Sequence, residues 1–252
     1  MAVMDEFKEE RARMKEQPFK VRLAHFWHYY KWHVIVIAAA LFFIGDYAYQ
    51  LITAKDVVLQ VGMLDCYSNT KDNEPYVQQI EELLAIDTKK EEVFLDNNYL
   101  ITMESEYTTL EILYVRLAAQ ELDVIMANED IFNDYSLNDI FVDLRTVLSP
   151  EQLDYYEDSF YYIDYDLIEN EDLYAVDETL KPLEDLSNHR SPEGMKKPIP
   201  VGIYVTGNEE FHQNYMFAGD TQEAVFGLAF YAEHPEYALQ FLDFISGRTD
   251  QN

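Results

Sequence analysis

VVLQVGMLDCYSNTKDNEPYVQQIEELLAIDTKKEEVFLDNNYLITMESEYTTLEILYVRLAAQELDVIMA, residues 57–127, alternates between two textures. The opening VVLQVGML (57–64) is a short, nearly continuous apolar run, the pattern of a strand buried on both faces. DCYSNTKDNE (65–74) is a polar loop of turn formers. Pro75 then stands where a first-turn proline belongs, and Val77, Ile80, Leu83 and Leu84 recur at helical spacing, so a helix is expected to end near Ile86. EVFLD (92–96) reads as a second strand. In 107–122, Leu110, Leu113, Tyr114, Leu117 and Ala118 share one helical face, with Thr108 or Thr109 near its start. DVIMA (123–127) is a third strand. Strand, helix, strand, helix, strand predicts a parallel, doubly wound α/β sheet.

Open sheets of that kind bind ligands outside the carboxyl ends of their strands. By position alone, the candidate ligand-binding residues are Tyr67, Ser68 and Asn69 after the first strand, and Asn128, Glu129 and Asp130 after the third.

Towards the N-terminus, VIVIAAALFFI (34–44) is the strongly apolar run of the chain. Alone it is too short to cross a bilayer, which takes about 20 residues. Trp27, Tyr29, Tyr30 and Trp32 crowd one end and Tyr47 and Tyr49 the other, as aromatic belts do at membrane interfaces. The reading is a transmembrane anchor over 30–52, preceded by a charged, amphipathic cytoplasmic segment, 1–29, and followed by an extracytoplasmic domain, 53–252. Phe19, Leu23, Phe26, Trp27 and Tyr30 form a stripe for an interfacial helix, so 19–52 is expected to meet lipid, with an elbow leading into the anchor. Seven basic residues precede the apolar run 34–44, which places the N-terminus in the cytoplasm. A cleaved signal peptide would need an n-region of some thirty residues, and a small-residue cleavage site is lacking after the run.

Residues 154–178 hold ten carboxylates and six tyrosines with no Lys or Arg. Calcium binding and sugar stacking are the sharp readings. The stretch lacks the central glycine of an EF-hand loop. Tyr161, Ile163 and Tyr165 alternate with Tyr162, Asp164 and Asp166, which favours a half-buried strand. PIPVGIYV (198–205) and AVFGLAFYA (224–232) read as strands whose Gly202 and Gly227 mark bends or close backbone approach. Asn208 caps a short helix to Tyr215, and Pro235 starts a helix that Gly247 stops.

Composition narrows function. The 252 residues carry 18 basic and 48 acidic side chains, a net charge of −30. Nucleic acid is not an expected partner, because phosphates are bound through Lys and Arg. With 48% hydrophobic residues the chain can bury a core. One cysteine, Cys66, leaves no intrachain disulfide,. No G-x-S-x-G, H-E-x-x-H, P-loop or G-x-G-x-x-G occurs, so no enzyme is expected, and neither cofactor nor metal is implied. His189, His212 and His234 lie in polar or turn-like sequence and read as surface histidines.

Three stretches together resemble extracellular solute-binding proteins, the type II periplasmic-binding-protein-like family. LEILYVRLAAQELDVIMANEDIFNDYSLNDIFVDLRTVLSPEQL (110–153) is similar to their first-lobe segment, DLYAVDETL (172–180) to the crossing into the second lobe, and VFGLAFYAEHPEYALQFLDFIS (225–246) to the return strand and helix. The resemblance implies a two-lobed domain closing on a small-molecule solute, a cation, amine or neutral sugar, with an ABC-type permease or other membrane complex as partner. Two departures stand out. About 200 exterior residues imply a reduced second lobe, and the tether is a transmembrane helix. The other reading is a ligandless structural or interaction subunit of a membrane complex.

Overall fold

Between Pro18 and Thr53 the sequence has no internal proline and a single glycine, Gly45, so nothing interrupts a helix. In the structure, a computed structural model describing residues 18–100, 106–169, 188–219 and 222–248, α1 (Phe19–Thr53) is accordingly one continuous helix of 35 residues, about 52 Å long at the α-helical rise. No elbow falls near residue 30. Its Tyr30–Thr53 portion is long and apolar enough to cross a membrane, and none of it is buried. Phe26 and Tyr30 stack one turn apart, ring centroids 5.1 Å from each other. Farther along, the Asp46 carboxylate accepts a hydrogen bond from Gln50 Nε2 at 2.7 Å. Of the N-terminal segment expected over 1–29, residues 1–17 and the side chains of Arg22, His25 and Tyr29 lie outside the described residues. The chain divides after Ala54 into two compact units.

The second unit begins with β1 (Asp56–Leu64), then β2 (Cys66–Ser68), α2 (Glu74–Leu83), β3 (Glu91–Tyr99), α3 (Glu106–Ala118) and β4 (Val124–Ala127). The expected alternation is present at almost the expected places. β2, inside the loop read as polar, is the addition. α4 (Glu129–Ser136), α5 (Pro150–Tyr156), β5 (Phe160–Asp164) and α6 (Asp166–Glu169) follow, then β6 (Pro198–Val205), α7 (Glu209–Asn214), β7 (Tyr215–Phe217), β8 (Ala224–Leu228) and α8 (Pro235–Ile245). The similarity noted for 172–180 falls outside the described residues.

Six strands form one sheet in the order β3-β1-β4-β8-β6-β5, and β2 pairs with β7 in a small separate ribbon. β1 runs parallel to both β3 and β4, as the sequence pattern predicts. The β4–β8, β8–β6 and β6–β5 pairs are antiparallel, so the central sheet is mixed.

Alternate residues of the strands feed two cores. From β4, Val124 and Met126 join one cluster with Tyr76 and Ile80 of α2 and Phe241 and Leu242 of α8. Ile125 and Ala127 join the other, with Leu113 and Leu117 of α3 and Phe132 of α4. This is the period of two of a pleated strand covered by helices on both faces. Polar ties pin the helices. Arg116 Nη1 lies 3.2 Å from the buried Asp96 carboxylate, joining α3 to β3. Asp243 of α8 accepts from Gln152 Nε2 at 3.0 Å and Tyr156 Oη at 2.9 Å, which holds α5 in place. Ser149 and Gln152 form a capping box at the start of α5,.

Candidate functional site

β1 lies between β3 and β4, so the chain leaves it on one side and returns on the other. A crevice is expected at such a switch point, between the carboxyl ends of β1 and β4. All six residues singled out from the sequence follow those two strands, and their polar groups mostly serve the chain itself.

Asp65 leaves β1 with φ +50°, a left-handed turn that Asp tolerates better than most residues. It delivers Cys66, Tyr67 and Ser68 to pair with Phe217, Met216 and Tyr215 of β7. Tyr67 stays exposed, its hydroxyl 3.5 Å from Asp65 Oδ1. Ser68 Oγ donates to the Thr70 carbonyl and accepts from Asn73 Nδ2, each at 2.8 Å. Asn69 Nδ2 donates to the His212 carbonyl at 2.8 Å. Asn128 caps α4, its Oδ1 accepting from the Ile131 amide at 2.9 Å. Its Nδ2 donates to the Ala218 carbonyl at 3.2 Å, while the Ala218 amide donates to the Asp65 carbonyl at 2.9 Å. One residue of the chain therefore bridges the two strand ends. Glu129 and Asp130 occupy the first turn of α4, where a helix dipole favours carboxylates,. The structure thus joins Asn128 to the β2–β7 ribbon through Ala218, whereas Ser68 and Asn69 turn to the 70–73 loop and to α7.

At the same sheet end lies a polar group not anticipated from the sequence. The Arg190 guanidinium sits 3.6 Å from the centroid of the Tyr204 ring and pairs with Glu223, combining a cation–π contact with an ion pair. Burial first, then the Glu129 carboxylate, raise the Tyr204 pKa, so its hydroxyl stays protonated,. His189, read as a surface residue, is instead buried, its ring stacked on Tyr161 at 4.4 Å. Its Nδ1 lies 2.8 Å from the Tyr162 carbonyl, which only accepts, so the proton is on Nδ1,. Turn-forming neighbours described the local chain correctly, but burial comes from β5, distant in sequence. The one available signal was scarcity: few basic residues follow the apolar run, and Arg190 is among them.

A cavity of about 180 Å³ opens at the opposite end of the sheet, where Ile163 of β5 pairs with Ile199 of β6. Phe141, Ile163, Ile199 and Val201 supply apolar wall, with Asp139 and Tyr165 also lining it. A register shift in the β5–β6 ladder leaves Val201 without a partner rung, and Val201 joins the cluster that holds Ile163. Such bulges re-aim side chains. Tyr165 Oη donates to Asp139 Oδ1 at 3.1 Å. Asp143, also on the lining, is taken by Arg145, whose Nη2 is 2.6 Å from Oδ2. Among the described residues no group of His, Cys, Asp and Glu is arranged to hold a metal ion.

Comparison of the chain with protein-family models, with curated proteins and with solved structures returns no match.

Proposed function

We propose that this chain is a single-pass membrane protein, its N-terminus cytoplasmic, whose extracytoplasmic α/β domain binds a small solute without transforming it. The observation that carries the binding reading is the largely apolar cavity beside β5, with two carboxylates, Asp139 and Asp143, and a phenol on its lining. Ligand sites are concave and mostly apolar, with a few convergent polar groups. The anchor is supported by the exposed apolar length of α1, and the orientation by the basic residues ahead of it. The resemblance to solute-binding proteins supports the finer picture of a reduced two-lobed domain that passes its solute to a permease or another membrane complex. An acidic exterior suits a cation, an amine or a neutral sugar better than an anion.

A second reading, a ligandless structural subunit of a membrane complex, is favoured by the Ala218 bridge across the switch point. Thermal denaturation of the full chain in detergent micelles separates the two. With sugars, amino acids, polyamines and other amines tested at millimolar concentration, the binding reading expects at least one to raise the Tm. A flat response across the whole panel would leave the scaffold reading.

A further inference from the structure

We infer that the cavity beside β5 takes a primary ammonium ion carrying an apolar body the size of one ring, an arylalkylamine or short alkylamine. The inference rests on the binding reading above and assigns its site and ligand class. Volume sets the body. An apolar cavity of about 150 Å³ holds a benzene, whereas drug-sized ligands occupy about 300–1,000 Å³. At about 180 Å³ the space suits one ring or a short chain, and excludes a disaccharide or a peptide. Phe141, Ile163, Ile199 and Val201 offer such a body nothing but carbon.

Charge sets the head group. Asp143 is neutralised by Arg145, Asp166 by Lys196 and Glu169 by Lys197. Asp139 has a hydrogen bond from Tyr165 but no ion pair among the described residues. Its carboxylate is the group on this lining left to balance a ligand cation. The Lys197 ammonium already lies 4.6 Å from the centroid of the neighbouring Tyr165 ring, so it is the Asp139 carboxylate, and not that ring, that assigns the head group. An ammonium at the mouth would meet Asp139 while its apolar body fills the space between Phe141, Ile163, Ile199 and Val201.

The test uses the full chain in micelles, with its isoleucine methyls labelled with ¹³C and titrated with phenethylamine. The expected result is saturable shifts of the Ile163 and Ile199 methyl signals. Phenethyl alcohol, equal in shape and uncharged, should bind at least tenfold more weakly, and phenylacetate not measurably. Asp139→Asn should weaken the amine tenfold or more with the fold intact, since Asn also tolerates the φ of +54° found at this position,. Val201→Phe, which fills the space, should abolish binding. Equal affinity for amine and alcohol, or an unaffected Asp139→Asn variant, would overturn the ammonium assignment. Unmoved isoleucine signals, with another solute raising the Tm, would overturn this site yet leave the binding reading standing. Unmoved signals and a flat thermal panel would remove both.

Discussion

Gly202 and Gly227 face each other across β6 and β8, and the Phe132 ring packs where side chains would otherwise stand. A methyl added at Gly227 would come within 2.5 Å of Phe141 Cε1 and 2.7 Å of Phe132 Cζ. Those rings stack on each other at 4.8 Å and can yield little in a packed core. Gly227→Ala is therefore expected to destabilise the domain by about 1–3 kcal/mol, the usual cost of overpacking, measured as a lower urea midpoint with unchanged slope. The sequence marked both glycines as sites of a bend or of close backbone approach; what approaches them is side chain. The rings themselves were not legible, because Phe132 and Phe141 arrive from segments far along the chain. Cys66 gives a second test at this scale. Burial pushes its thiol up to about 12, so at pH 8 the reactive thiolate is scarce. Iodoacetamide should label Cys66 slowly in the native protein and fast in urea; equal rates would contradict its burial.

Elements were legible where one face repeats and obscure where pairing is distant. β1, β3, β4, β6 and α8 lie almost where apolar runs and their punctuation place them. β2 and β7, three residues each, carry no periodicity of their own and exist because they pair with one another. The candidate residues on β2 were for that reason read as a free loop. At the other end of the sheet, Asp164 terminates β5 and accepts backbone hydrogen bonds from Lys196 and Lys197, each at 2.9 Å, and from Asp166 at 3.2 Å. Burial acts to raise its pKa, but these donors outweigh it and hold the carboxyl below its ordinary value,. The charged form is thus favoured by folding. Its contribution is fully present above the unfolded pKa, about 3.9, and is lost as pH falls through the lower folded value. Asp164→Asn should unfold more readily than the parent at pH 7, and the gap should close below about pH 4. A gap that persists at pH 2 would show that geometry, not charge, holds this corner.

At the scale of the molecule, charge divides with the chain. Residues 1–31 carry 7 basic and 5 acidic side chains, leaving 11 and 43 for the remainder. On the proposed orientation, protease added to intact cells should remove a C-terminal epitope and leave a protected N-terminal fragment; protection of the whole chain would overturn it. Strand sequence and helix alternation made the parallel half of the sheet legible, since a parallel connection needs a long crossover. The antiparallel half was hidden because strand order depends on pairings that local pattern does not encode. That order has a kinetic consequence. β8 lies in the interior of the sheet, between β4 and β6, yet among the described residues it is the last of the sheet's strands in chain order. Until it emerges, β4 and β6 each present an open edge, and their pairing cannot be completed. A nascent chain stalled before residue 224 would hold two unfinished half-sheets, so synthesis itself times the closure of this domain.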